Sequence, residues 1–160
     1  MKKGSGLLSI VYLLSLSLFF VGCGGDDPTT SEEETQLNKL KSTWTLQSVN
    51  NDGNDRTSEY PGMTLTISGT FTSGGTYNYS STATDWPSVS PWKAIDTWKF
   101  KSDAVSSSVV RLIDLIEMNY LLTNSDNTLS LTFDYPDTGT GFNNGRTETV
   151  KGKWTFTFSK

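Results

Sequence analysis

Histidine is absent from all 160 residues, and cysteine occurs once, at Cys23. Without histidine, neither Ser-His-Asp nor Cys-His nucleophilic sets can be assembled. Zinc and copper centres built on imidazole and thiolate are excluded on the same ground. A lone cysteine closes no internal disulfide. No spaced Asp/Asn loop of EF-hand type offers an oxygen cage for calcium. Nothing in the chain asks for a cofactor. Basic residues are also few, 13 Lys and Arg against 17 Asp and Glu, and they do not cluster. Nucleic acid is therefore not an expected partner, since binding it needs clustered cations to displace counterions. No apolar run reaches the roughly 20 residues of a membrane-spanning helix.

What is present begins with Lys2 and Lys3, followed by an apolar stretch from Leu7 to Val21 broken only by Ser9, Ser15 and Ser17. That is the build of a secretory signal peptide, with Gly22 as the small residue at the cut. Val21-Gly22-Cys23 resembles the lipobox of bacterial lipoproteins, with Phe20 where that family usually has Leu. The resemblance implies cleavage before Cys23 and acylation, palmitate included, of its thiol and new N-terminus. The protein would then be held to a membrane by several acyl chains, each buried CH2 adding ~0.8 kcal/mol. Gly24, in place of Asp, resembles an outer-membrane address. Asp26 and Asp27 resemble the acidic export signals of some surface lipoproteins, and read equally as a solvated linker.

Removing residues 1–22 leaves 160 − 22 = 138 residues and 11 basic against 17 acidic side chains, a net charge of −6. That length suits one domain with one core. Residues 23–36 read as an acidic tether and residues 37–160 as the domain. Ser31 and Glu34 have capping-box spacing, so a short helix carrying Leu37 and Leu40 is expected over one end of the domain.

From Lys41 onward the period becomes two, the signature of half-buried strands. Trp44 and Leu46 share a face, as do Leu65 and Ile67 with Phe71 continuing them, Tyr77 and Tyr79, and Trp98 and Phe100. Leu129 to Tyr135 alternates strictly, and Trp154, Phe156 and Phe158 close the chain. Threonines fill the intervening positions, where a β-branched hydroxyl suits a wet pleated face. Asn51-Asp52-Gly53, Ser73-Gly74-Gly75, Asn124 to Asn127 and Asn143-Asn144-Gly145 mark turns. Short, closely spaced strands with one apolar face predict an antiparallel sheet closed into a barrel. Val109 to Leu122 fits either two strands or one helix, and its β-branched residues favour strands.

Three segments repeat one phrase: Thr43-Trp44-Thr45-Leu46, Thr97-Trp98-Lys99-Phe100 and Lys153-Trp154-Thr155-Phe156. With Gly69-Thr70-Phe71, Gly75-Thr76-Tyr77 and the strand Thr128 to Phe133, they resemble the lipocalin-like domains of bacterial lipoproteins. Ser42-Thr43-Trp44 stands for the Gly-x-Trp that opens that family's first strand. The resemblance covers roughly residues 37–160. It implies an all-β, eight-stranded up-and-down barrel behind a short N-terminal helix, with an interior able to take a small apolar ligand.

The expected interior is Trp44, Leu46, Leu65, Ile67, Phe71, Tyr77, Tyr79, Trp98, Phe100, Met118, Tyr120, Leu131, Phe133, Trp154 and Phe156. It reads either as the wall of a ligand pocket or as a filled core. Asp85-Trp86-Pro87-Ser88-Val89-Ser90-Pro91-Trp92 is the most distinctive loop. Trp86 and Trp92 there either stack on glycans or other flat ligands, or fold down as a lid. Asp134, Asp137 and Glu148 could pair as hydrolytic carboxylates, but acidic residues beside turns are ordinarily solvated. These features point to a non-enzymatic, outer-membrane-anchored protein that binds a small hydrophobic or aromatic molecule. The alternative is a surface accessory lipoprotein that binds glycan or a protein partner through its loops.

Overall fold

The computed structural model describes residues 30–136 and 150–160. The signal segment, Cys23 and the loop carrying Asp137, Asn143-Asn144-Gly145 and Glu148 lie outside the described residues.

Ser31 starts the folded chain by capping helix α1, Glu32–Leu40, accepting a hydrogen bond at Oγ from the Glu34 amide at 3.1 Å. Three glutamates in its first turn and Lys39 in its last complement the helix dipole. The helix opens at Glu32, so residues 32–36 belong to the folded domain rather than to the tether. An isolated helix of this length is marginal in water. Leu37 and Leu40, both fully buried against the sheet, supply what it lacks.

Nine strands follow: β1 Ser42–Asn51, β2 Asn54–Asp55, β3 Thr64–Ser68, β4 Tyr77–Thr82, β5 Ile95–Phe100, β6 Ser108–Arg111, β7 Glu117–Thr123, β8 Thr128–Tyr135 and β9 Gly152–Ser159. β2 is only the return arm of a hairpin at the end of β1. The other eight pair antiparallel in chain order, and β1 pairs β9 to close the barrel. The all-β, eight-stranded up-and-down architecture expected from the alternation is the one found. Residues 108–123 form two strands.

Inward residues meet across the ladder: Trp44 faces Leu65, Ile67 faces Tyr79, Tyr77 faces Trp98, Tyr120 faces Leu131, and Phe133 faces Trp154. Outward positions pair hydroxyls, with Oγ1 contacts of 3.1 Å between Thr43 and Thr66 and 2.8 Å between Thr64 and Thr82. Such cross-strand pairs stabilise a sheet by roughly 0.2–1 kcal/mol each.

Two expectations need correction. In β1 the register against β9 shifts between Leu46 and Ser48. The extra residue is a β-bulge, so the inward phase passes from Trp44 to Val49 and leaves Leu46 only half-buried. Phe71 does not extend β3. The strand stops at Ser68, Gly69 takes φ +141°, and Phe71 lies half-buried in the connection to β4.

The two barrel ends are closed differently. At the helix end, α1 lies across the mouth. Its Glu33 carboxylate accepts from the Gly74 amide (3.1 Å) and the Tyr77 hydroxyl (3.0 Å), and Lys39 faces Asp126 at 3.8 Å. At the loop end the β4–β5 connection, residues 83–94, folds into the barrel.

Candidate functional site

Trp92 decides the character of the interior. It is not displayed for stacking: it is 1% exposed, and its ring centroid lies 4.9 Å from Phe156, 5.5 Å from Tyr79, 6.2 Å from Phe158 and 6.3 Å from Phe133. The loop that delivers it is fixed at three points. The indole Nε1 donates to Ser81 Oγ (2.9 Å), Tyr60 Oη and Ser90 Oγ are 3.1 Å apart, and Arg111 Nη1 donates to the Pro91 carbonyl (3.0 Å). Trp86 is half-buried, edge-on to Tyr60 at 6.2 Å. Of the two readings of this loop, display for stacking and folding down over the barrel, Trp92 follows the second: it is the plug of the barrel.

Arg111 is fully buried, which its charge alone does not suggest. It opposes Trp98 in the ladder and so points inward. Asp114 embraces it from the β6–β7 turn, with Oδ1 3.0 Å from Nε and Oδ2 2.5 Å from Nη2. Its guanidinium carbon lies 5.4 Å from the centre of the Phe133 ring. Burial alone would lower the guanidinium pKa, but Asp114 and the Tyr79 side chain outweigh it and raise it. The Tyr79 phenol is itself pushed far up by burial, with Arg111 pulling the other way. This knot ties the plug loop to the β6–β7 turn. In that turn Leu115 takes a left-handed φ of 59° and is 73% exposed. Ile95 and Ile113 are exposed on the same rim, where the Ile113 amide donates to Asp96 Oδ2 at 3.3 Å.

Between the plug and α1 remains a void of about 20 Å³. It is lined by Leu40, Leu65, Ile67, Tyr79, Trp92, Trp98, Val109, Met118, Tyr120 and Leu131, and its surface is wholly apolar. That is room for about one water molecule, whereas small-molecule sites are roughly 300–1,000 Å³. Of the residues expected to form the interior, Leu65, Ile67, Tyr79, Trp98, Met118, Tyr120 and Leu131 line this void. Trp44, Tyr77, Phe100, Phe133, Trp154 and Phe156 are buried in the surrounding core. Leu46, Phe71 and Trp86 pack against that core from its margin. Leu40, expected with Leu37 on a helix over one end of the domain, closes the void from that end, whereas Val109 and Arg111 were not among the expected interior residues.

The three Trp-x-apolar phrases have different fates. Trp44 Nε1 donates to the Leu40 carbonyl at 2.9 Å, and Trp154 Nε1 to the Val150 carbonyl at 2.7 Å, each four residues back in the chain. Trp98 Nε1 is buried with no partner. The carbonyl four residues before it, Ala94, instead accepts from the Ser81 amide at 2.6 Å. An unpaired buried donor costs about 1–3 kcal/mol, and in native proteins such groups mark an unseen water, ligand or special role.

Among the described residues, no three or more Cys, Asp or Glu side chains gather as a metal site. No family model, curated protein or solved structure matches the chain.

Proposed function

We propose that this chain is a lipid-anchored, lipocalin-like protein of the bacterial outer membrane, held by Cys23, whose barrel interior takes a small hydrophobic or aromatic ligand without catalysis. The observation that carries this reading is the apolar void left between the Trp92 plug and α1 inside a closed eight-stranded barrel, with Trp98 in its wall. The interior described here is the closed form, because about 20 Å³ holds no organic molecule. Binding therefore requires the barrel to open, and part of the contact energy goes to that opening.

The test has two parts. Native mass spectrometry of the protein taken from its own envelope is expected to show a discrete added mass. Trp98→Phe then removes half of the indole from the wall of the void. It is expected to cost about 1–3 kcal/mol of stability through the cavity it leaves and to change guest affinity at least threefold. A bare polypeptide mass, with no uptake of apolar probes, overturns the reading.

A second reading rests on the loop-end rim. Ile95, Ile113 and Leu115 are exposed together there, above the buried Arg111–Asp114 pair. A rigid apolar rim of this kind suits a protein partner. Leu115→Asp with Ile95→Asp is expected to abolish capture of such a partner from the native envelope while the barrel stays folded. Glycan stacking on paired tryptophans loses its basis, because Trp92 is in the core.

A further inference from the structure

At the helix end one side chain borders both the void and a surface crevice. Tyr120 lines the central void with one part of its surface. It also lines a surface crevice of about 220 Å³ whose walls include Gln36 and Lys39 of α1, Ser106 and Ser107 of the β5–β6 turn, and Asp126. Its hydroxyl donates to the Val105 carbonyl at 2.5 Å, and the Gln36 side-chain amide stands 3.2 Å from the same oxygen. A second contact crosses the crevice, Lys39 Nζ to Asp126 Oδ2 at 3.8 Å between half-exposed side chains. Both hold α1 to the barrel, and both can exchange for water.

The loop end is closed more firmly. Its plug is packed among four rings and held by buried hydrogen bonds. At the helix end a nine-residue helix is kept down mainly by Leu37 and Leu40. Its pivot is at Lys41, where the chain turns extended, while Trp44 Nε1 holds the Leu40 carbonyl in place.

We propose that the crevice between α1 and β7 is the entrance to the interior, with Tyr120 as its gate. This inference rests on the interior-binding reading above. The polar walls of the crevice define the guest further. Its apolar part passes Tyr120 into the void, and a small polar head stays outside with the Gln36 amide and the Ser106 and Ser107 hydroxyls.

The experiment is stopped-flow uptake of the uncharged fluorophore N-phenyl-1-naphthylamine by the mature chain, residues 23–160, carrying Cys23→Ser. Tyr120→Phe removes the latch and leaves the ring. It is expected to raise both association and dissociation rates about 3- to 10-fold, the range of one lost hydrogen bond. Lys39→Cys with Asp126→Cys, bridged by a reducible bis-methanethiosulfonate cross-linker that spans the long side-chain contact, joins α1 to the β7–β8 turn. Bridged, and so oxidised to mixed disulfides, it is expected to slow uptake at least tenfold, and reduction should restore the rate. Unchanged rates in Tyr120→Phe and in the oxidised staple would show that guests enter elsewhere, overturning the gate while interior binding stands. No uptake by any of the proteins overturns interior binding, and the gate with it.

Discussion

Replacing Trp92 by alanine tests whether the β4–β5 loop is core or display. The side chain is 1% exposed and lies within 6.3 Å, centroid to centroid, of four aromatic rings. Truncating a buried tryptophan costs about 3–5 kcal/mol in lost transfer energy and cavity. Ser81 Oγ, itself buried, also loses the indole donor at 2.9 Å, which places the expected loss at the upper end, about 4–5 kcal/mol. Against the 5–15 kcal/mol typical of a whole domain, that is a large fraction. For a domain of this size the midpoint of thermal unfolding should fall by roughly 10–25 °C. Urea unfolding followed by far-ultraviolet circular dichroism gives the free energy directly. Trp86→Ala is the internal control. Its ring is half-buried and makes one edge contact with Tyr60, so its loss should stay below about 1.5 kcal/mol. A loss below about 1 kcal/mol for Trp92→Ala, or equal losses for the two variants, would refute the plug and return both tryptophans to the surface.

Further outcomes follow from the same structure. Tyr60, Tyr79 and Tyr120 all have phenols raised well above the ordinary value of 10.0, burial being the first cause in each. Their neutral form is favoured in the native state, so the stability they contribute is complete below pH 10 and falls as pH rises beyond it. Alkaline unfolding monitored at 295 nm should show these phenols ionising together with loss of structure; their ionisation in the intact fold near pH 10 would refute this. Leu115 holds a left-handed φ of 59°, which costs a leucine about 1–2 kcal/mol and asparagine less. Leu115→Asn should therefore raise stability by about 0.5–1 kcal/mol in urea titrations, and a destabilised variant would show that the exposed side chain packs in solution. Cys23→Ser should move the protein from the membrane to the soluble fraction, and persistence of the variant in membranes would exclude lipidation as the anchor.

Much of the fold was legible because one physical rule governs most of it. Alternation from Trp44 through Phe158 places apolar groups on one face, and closure of a meander hides its edges. Ser31 and Glu34 announced α1, whose Leu37 and Leu40 cover the helix end. The departures arise where a distant group decides a local conformation. The β1 bulge sits among Leu46, Gln47 and Ser48, whose polarity gives no reason to skip a position. Nothing in the residue type of Leu115 marks a turn, yet it takes a left-handed backbone beside the Arg111–Asp114 pair. Arg111 reads as a surface cation until the carboxylate three residues on is known to fold back over it. Pro87 and Pro91 indicate a stiff loop, but not which way it bends. The inward bend of Trp92 depends on Ser81, Tyr60 and Arg111, none of them adjacent in sequence.

Ser81 ties the plug to the chain just before the strand that carries the unpaired indole. Ser81 takes the Trp92 N–H on its hydroxyl, and its backbone amide takes the Ala94 carbonyl at 2.6 Å. In the other two copies of the repeated phrase, the carbonyl four residues before the tryptophan caps the indole. In the middle copy that carbonyl is Ala94, already engaged by the residue that anchors the plug. Trp98 is the fourth residue of its strand, whereas Trp44 and Trp154 are the third of theirs, so the extended chain carries its indole beyond the carbonyl four residues back. It lines the space left between plug and helix among the described residues. Trp98 and Trp92 border the same residual void, and Ser81 holds the plug beside it.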